Sequence, residues 1–168
     1  QVERIIAFIE IAKKYNRKVA IDGRSMKANV EIIKKLRLSE VKHAIPIEEV
    51  GDYAPNRVMI LATGAQGEEF ASLMRIANST HKSIKIGRTD TIILSSSVIP
   101  GNERTVQRVK DNIYRLSDNV YHNDIMNVHA SGHTNVDGIK QMLSEVKPDY
   151  FIPVYGNHFM LKEAARIG

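Results

Sequence analysis

The sequence predicts a three-layer α/β domain with a mainly parallel sheet, and three observations lead to that prediction. The chain has 168 residues, of which 43% are hydrophobic and 26% are charged, and these values are typical of a globular domain. Short apolar runs alternate with helix-period segments of roughly ten to twelve residues, which is the pattern of βαβ units. The runs Val58–Ala62 and Ile92–Leu94 contain almost no polar residue, as expected for parallel strands that are covered on both faces.

The first part of the chain contains three predicted helices that alternate with two predicted strands. Apolar residues at helical spacing predict a helix over 5–12, and the apolar run 19–21 predicts a strand that ends at the turn signal Asp22-Gly23. A second helix is expected over 28–36 and a buried strand over 58–62. Phe70, Leu73, Met74 and Ala77 then occupy positions i, i+3, i+4 and i+7 of a third helix.

The rest of the chain repeats the pattern with shorter elements. Apolar runs predict strands at 92–94, 120–121, 127–128 and 150–154, and helical spacing predicts helices over 106–116, 139–146 and 160–164. Lys147 and Pro148 predict the end of one of these helices, because the residue before a proline avoids the helical region. The loops after the strands are where ligands bind in such folds.

The composition excludes several kinds of site. The chain has no cysteine, which rules out disulfides, thiolate zinc ligands and a cysteine nucleophile. It has 24 Lys and Arg against 19 Asp and Glu, a net charge of +5 that is compatible with a polyanionic partner. No apolar run approaches the ~18 residues of a membrane span and no signal peptide is visible, so we expect no membrane partner and a cytoplasmic location. The first residue is Gln1, and we expect the chain to be a piece of a longer protein.

Two loops after predicted strands are suited to an anionic ligand. In the loop Thr63–Glu68, Gly64 and Gly67 allow backbone amides to approach a ligand, and the helix start that follows favours an anion. The loop Ser95–Glu103 offers three hydroxyls, and Asn102 is a candidate N-cap. Tight turns and helix caps are the alternative explanations of both loops. Among the basic residues, Arg24, Arg104 and Arg108 follow strand-end turns and are the best placed for phosphate contacts.

The loop His129–Thr134 is the most informative. Two imidazoles flank Ser131 and Gly132, and Thr134 with Asp137 forms an acidic variant of the capping box. Imidazoles, a hydroxyl and helix-start amides together suit a phosphate or a proton donor, although histidines that bond neighbouring carbonyls are an equally good explanation. A fourth loop, 153–158, contains Tyr155 and His158.

Taken in order, these loops resemble the β-CASP metallo-β-lactamase ribonucleases, and most closely the ribonuclease J group. The matching text covers nearly the whole chain: Gly23-Arg24-Ser25-Met26, Thr63 to Glu68, Leu73 to Asn78, Ile99 to Glu103, His129 to His133 and Lys147 to Val154. The resemblance implies a β-CASP domain over residues 1–123 and, from about residue 124 to 168, a returning segment of a metallo-β-lactamase fold. It also implies a parent hydrolase that cleaves RNA with two zinc ions, both internally and from a 5′-monophosphorylated end.

The resemblance also assigns roles to residues. His133 matches a catalytic histidine near the scissile phosphate, and the run His129, Ala130, Ser131, Gly132 and His133 matches the segment that holds the substrate phosphate. Thr63, Gly64, Gln66, Gly67 and Glu68 match a loop that lines the path of single-stranded RNA. The family further implies an amino-terminal metallo-β-lactamase domain as partner and a homodimer or tetramer of the intact protein.

Two departures from the family pattern lead to two hypotheses. Tyr155 occupies the position of a metal-binding histidine, and a neutral phenol is a poor zinc ligand beside imidazole. The sequence contains no His-x-His-x-Asp-His cluster, so we assign no metal ligand and expect the chain alone to be inactive. The leading hypothesis is the β-CASP portion of a zinc-dependent ribonuclease. The alternatives are a catalytically silent RNA-binding or scaffolding relative, and a DNA-directed member of the superfamily.

Overall fold

The structure of the chain, a computed structural model, describes residues 2–130, 132 and 134–168. It contains six helices and five strands over these residues, together with two short 3-10 helices, Ile47–Asp52 and Pro55–Arg57. The elements in chain order are α1 (Val2–Lys14), β1 (Lys18–Asp22), α2 (Arg24–Lys35), β2 (Ala44–Ile45), β3 (Val58–Ala62), α3 (Ser72–Ala77), β4 (Thr91–Leu94), α4 (Glu103–Leu116), β5 (Asn119–His122), α5 (Val136–Val146) and α6 (His158–Ala165).

The described strands form two sheets, and both are parallel. One sheet has the order β2-β1-β3, and the other consists of β4 and β5. Asp22 at the end of β1 is paired with Ala62 at the end of β3, while Leu94 is paired with His122. The predicted α/β class is therefore confirmed. Because paired strands end at the same level, the loops that follow them leave the sheet side by side.

The chain divides into two compact units, residues 1–129 and 130–168. In the first unit, α1 and α2 pack on β1 through a core that includes Ile9, Val19 and Ile33. A second core joins α3, α4, β4 and β5 around Val109 and Ile113. Both are typical of helices that bury one apolar stripe against a sheet.

The second unit contains α5 and α6, and neither helix has a buried residue. Several large apolar side chains are exposed there, including Tyr150, Ile152 and Phe159. α5 ends at Val146, where the sequence predicted an end, and Lys147 adopts the left-handed conformation that closes the helix.

Five expectations about elements were wrong. No strand forms at 127–128 or 150–154, where the described chain is irregular. Phe70 is outside α3 and is 86% exposed, because the backbone at Ala71 is extended and the helix begins only at Ser72. α2 begins at Arg24, four residues before its predicted start. Ile93 is 51% exposed, so β4 is not covered on both faces.

Replacement of Ile113 by alanine tests the second core. The side chain is fully buried, and its removal leaves a cavity, so Ile113→Ala should lower the free energy of unfolding by about 2–5 kcal/mol. Ile32→Ala, on the half-exposed face of α2, is the matched control and should change it by no more than about 0.5 kcal/mol. Urea unfolding measures both, and equal losses would contradict the placement of this core.

Candidate functional site

The carboxyl ends of β1 and β3 meet at Gly23 and Thr63. Gly23 has a φ of +103°, and a Cβ atom there would lie 2.2 Å from the Thr63 hydroxyl oxygen. The Thr63 carbonyl accepts a hydrogen bond from the Leu73 amide at 2.8 Å. The glycine therefore allows the two strand-end loops to touch, and Thr63 is fixed between β1 and α3.

Gln66 joins the loop 63–68 to the loop 95–103. Its Nε2 donates to the Ser97 carbonyl at 2.8 Å, and its Oε1 accepts from the Ile99 amide at 2.9 Å. The Thr105 hydroxyl donates to the Gln66 carbonyl at 2.8 Å. Gly67 has a φ of +77°, and a Cβ there would lie 2.5 Å from the Thr105 carbonyl. These contacts bring together two loops that the sequence indicated separately.

The hydrogen bonds of Gln66 indicate a supporting role for its side chain. The amide group is engaged at both its nitrogen and its oxygen, so contact with a ligand would have to break one of these bonds. Asn102 is also engaged here, because its Nδ2 lies 3.4 Å from Gln66 Oε1 and makes no side-chain cap for α4. The assignment of Thr63, Gly64, Gln66, Gly67 and Glu68 to an RNA path stays a prediction.

Sequence analysis missed a cluster of polar side chains centred on Asp22. Asp22 is 8% exposed at the end of β1, and its Oδ2 accepts hydrogen bonds from the Ser72 hydroxyl and from His81 Nε2, the latter at 2.9 Å. Arg75 Nη2 lies 3.4 Å from the same oxygen. The cluster ties α3 and the segment after it to the end of β1. The only signal in the sequence was the Asp22-Gly23 turn.

The geometry of this cluster excludes a catalytic triad. His81 Nδ1 accepts from the amides of Ser83 and Ile84, at 3.2 and 3.1 Å, so the proton of the neutral imidazole is on Nε2 and is donated to Asp22. The Ser72 hydroxyl also donates to Asp22 and does not contact His81. A nucleophilic serine needs a base within reach of its own proton, and here that proton is held by the carboxylate.

The environment of Asp22 lowers its pKa. Burial alone would raise the pKa, but the hydrogen bonds from Ser72, His81 and the Gly23 amide outweigh it and stabilise the ionised form. The pKa of the Asp22 carboxyl is therefore below its ordinary value of 3.8. At neutral pH the group is a carboxylate that accepts several hydrogen bonds at once.

His129 is the last residue of the first unit. The Ser95 hydroxyl donates to the Val128 carbonyl at 2.7 Å and fixes the chain just before it to the end of β4. His129 Nδ1 is buried and makes no hydrogen bond with any described residue. Such an atom is available to a ligand. Ala130 and Gly132 are exposed, whereas the predicted Ser131 and His133 lie outside the described residues.

The cap of α5 differs from the predicted capping box. Asn135 is the N-cap, and its side-chain oxygen accepts from the Gly138 amide at 2.9 Å. α5 begins at Val136, so the N-cap position that the sequence assigned to Thr134 is occupied by Asn135. Thr134 therefore lies one residue before the cap.

The described residues do not fit a zinc site by themselves. Among them, no group of three or more His, Asp or Glu side chains lies close enough to hold a metal ion. Tyr155, which the resemblance places at the position of a histidine ligand, is fully exposed. Among the residues that the structure describes, no helix is both long and apolar enough to cross a membrane.

The fold and the site define a parallel α/β domain whose candidate binding loops lie at the carboxyl ends of its strands. The family profile described as "Ribonuclease J, beta-CASP domain" matches residues 1–113. The chain therefore belongs to the ribonuclease J β-CASP domain family, and the resemblance found in the sequence is confirmed.

Individual relatives agree with the family match. The chain is 42% identical to ribonuclease J of Thermus thermophilus over 156 residues, which are 92% of this chain and 27% of that protein. It is 37% identical to ribonuclease J of Helicobacter pylori and 38% identical to ribonuclease J 1 of Streptococcus pyogenes, over 94% and 96% of this chain and 23% and 29% of those proteins. The chain thus spans about a quarter of the length of the curated relatives it matches.

The lowered pKa of Asp22 predicts how stability depends on pH. A carboxyl whose pKa is lower in the folded state stabilises the fold above the unfolded pKa, and this contribution is lost as the pH falls from about 3.8 through the lower folded value. Asp22→Asn should lower the free energy of unfolding at pH 7 by about 1–3 kcal/mol and should flatten its decrease below about pH 4. Urea unfolding at a series of pH values measures both effects.

Asp118→Asn is the control for this experiment. The Asp118 side chain is 72% exposed, and its one described ion pair, with Arg88, has an N–O distance of 3.5 Å. Its replacement should leave the stability at neutral pH nearly unchanged. An Asp22→Asn variant that loses stability in acid as steeply as the unmodified chain would contradict the role given to this carboxylate.

Proposed function

We propose that this chain is the RNA-binding β-CASP portion of a zinc-dependent ribonuclease J-like enzyme that cleaves RNA internally and in the 5′ to 3′ direction. The family match over residues 1–113 carries this proposal, since the relatives that align with nearly the whole chain are named ribonuclease J. The geometry supports it, because the first unit gathers its loops at the carboxyl ends of parallel strands, where ligands bind in such folds.

The run His129–His133 is proposed to hold the 5′-monophosphate of single-stranded RNA, with His133 close to the scissile phosphate. The free Nδ1 atom of His129 supports this assignment, because a phosphate oxygen would give that buried atom a partner when it is protonated. A histidine is also suited to move a proton at physiological pH.

The two zinc ions of the proposed enzyme would be held by ligands outside the described residues, in an amino-terminal metallo-β-lactamase domain. When bound, they would activate a water for attack on phosphorus. The exposed apolar side chains of residues 130–168, among them Tyr150, Ile152 and Val154, support a further domain, since such surfaces are usually covered. We propose that the intact protein is a cytoplasmic homodimer or tetramer.

A second function, a silent RNA-binding or scaffolding protein, rests on Tyr155. If the intact protein cannot bind the metal for which the family uses this position, RNA binding would remain without cleavage. The two proposals differ in one measurement, which is zinc-dependent cleavage of RNA by the intact protein. Restoration of activity by Tyr155→His in an inactive protein would favour the silent relative.

The outer face of α4 offers a route for the RNA backbone. Arg104 and Arg108 are exposed, one helical turn apart, and neither forms an ion pair with a described residue. The nearby acid Asp111 accepts a hydrogen bond from Gln107 instead. Unpaired guanidinium groups at this spacing suit consecutive phosphates.

Affinity for RNA tests the proposed phosphate site. A short single-stranded RNA with a 5′-monophosphate should bind the chain more tightly than the same RNA with a 5′-hydroxyl, and His133→Ala should abolish that difference. His43→Ala is the control, because His43 lies in the loop before β2 rather than in the proposed run. Fluorescence anisotropy measures both. Equal affinity for the two RNAs before mutation would contradict the assignment.

The salt dependence of RNA binding tests the face of α4. Each phosphate contact to single-stranded RNA adds about 0.7 to the slope of log K against log salt concentration. The double variant Arg104→Gln, Arg108→Gln should therefore reduce the slope by about 1.4. Arg88→Gln, which removes an arginine already paired with Asp118, is the control and should leave the slope unchanged. An equal slope in the double variant would show that this face does not contact RNA.

A further inference from the structure

A pocket lies within the first unit, at the carboxyl ends of β4 and β5. Its volume is about 200 Å³, which is the volume of roughly six water molecules. Apolar side chains on one side include Leu94 and Val106, and the polar lining consists of Ser96, Ser97, Lys110 and His122 together with the turn that contains Asp124. None of these residues is used in the function proposed above.

Two side-chain nitrogen atoms converge on one oxygen atom in this pocket. Lys110 Nζ lies 2.7 Å from Asp124 Oδ2, and His122 Nδ1 lies 3.0 Å from the same atom. The side chains of Lys110 and His122 are 15% and 13% exposed, whereas that of Asp124 is 71% exposed. The nitrogens therefore belong to the wall of the pocket, and the carboxylate reaches them from an exposed turn.

One buried polar atom of the pocket has no hydrogen-bond partner in the described part of the chain. His122 Nδ1 is buried and makes no hydrogen bond with a described residue, although it lies 3.0 Å from Asp124 Oδ2. Ser96 and Ser97 contribute hydroxyl groups to the lining, and Ser97 is exposed to solvent. Buried polar atoms without partners are rare in proteins and indicate a missing ligand or water.

We propose that this Lys110–His122 pocket binds a phosphate group, and that Asp124 occupies the position of one phosphate oxygen when the pocket is empty. The ammonium group of Lys110 excludes a metal cation from this position. A phosphate offers several oxygens in a tetrahedral arrangement, which suits a lysine, an imidazole and two hydroxyls better than the single carboxylate does. Binding would move Asp124 into solvent, where its charge is well hydrated.

Two sources supply a phosphate group of this kind. One is a phosphodiester of the RNA backbone, and that source rests on the proposed function. The other is free phosphate or a nucleoside 5′-monophosphate, and it does not depend on RNA binding. The contacts among Lys110, His122 and Asp124 that define the pocket are the same for either source.

The test measures binding of three probes to the full 168-residue chain by nuclear magnetic resonance of the His122 imidazole. The probes are inorganic phosphate, a nucleoside 5′-monophosphate and a short RNA with a 5′-hydroxyl, which offers phosphodiesters only. We expect the signals of His122 to shift with inorganic phosphate. Lys110→Gln should weaken this binding about tenfold or more, because it removes a charge-assisted hydrogen bond.

Asp124→Asn gives the decisive comparison, because it removes the internal competitor. It should tighten phosphate binding about two- to fivefold, in proportion to the modest strength of an exposed ion pair. Asp118→Asn changes the net charge by the same amount at another exposed ion pair and should have no effect. A purely structural ion pair between Lys110 and Asp124 would instead give no gain in affinity in either variant.

Every outcome decides the proposal. The absence of a shift at His122 with inorganic phosphate, or equal affinities of Asp124→Asn and Asp118→Asn, would overturn it. If Lys110→Gln does not fold, the two aspartate variants still decide. Binding of phosphate with the expected variant effects but no binding of the RNA would support the pocket with a free phosphate as its ligand, and would count against RNA binding by this chain.

Discussion

The parallel register of β1 and β3 is the constraint on which the candidate site depends. Asp22 and Ala62 end these strands side by side, so Gly23 and Thr63 must share one small space. Only a residue without Cβ fits there. The carboxylate of Asp22 then fixes α3 and the segment around His81 to the same strand end. Gln66, three residues after Thr63, in turn binds the loop after β4, so the position of that loop depends on the same contacts.

The sequence predicted the class of the fold because the pattern of apolar residues is local. The helix that carries Val109 and Ile113 and the strand 58–62 are visible from spacing alone. The Asp22 cluster was not visible, because Ser72 and His81 lie 50 and 59 residues away from Asp22 and neither belongs to a recognisable motif. Contacts of this length depend on how the helices pack, which spacing does not determine.

The missing strand at 150–154 has a different physical reason. An apolar run predicts a strand, but a strand forms only where a neighbour accepts and donates its backbone hydrogen bonds. In the second unit the described residues contain helices and no strand, so residues 150–154 have no partner there. Ile152 and Val154 are accordingly exposed. A strand at 150–154 would therefore need a partner strand from outside the second unit.

The residues that support the site differ in their hydrogen bonds from the residues that can bind a ligand. The side chains of Gln66, Ser72 and His81 form hydrogen bonds within the fold, so a ligand that bound to them would break existing hydrogen bonds. His129 Nδ1 and His122 Nδ1 are buried and make no hydrogen bond in the described chain, and Arg104 and Arg108 form no ion pair with a described residue. A ligand that meets His129, Arg104 or Arg108 gains interactions without breaking a hydrogen bond of the fold, whereas a ligand at His122 displaces only the exposed carboxylate of Asp124. The groups that can bind an anionic ligand are therefore those whose hydrogen-bonding capacity is not used within the fold. A family motif alone does not identify all of these groups.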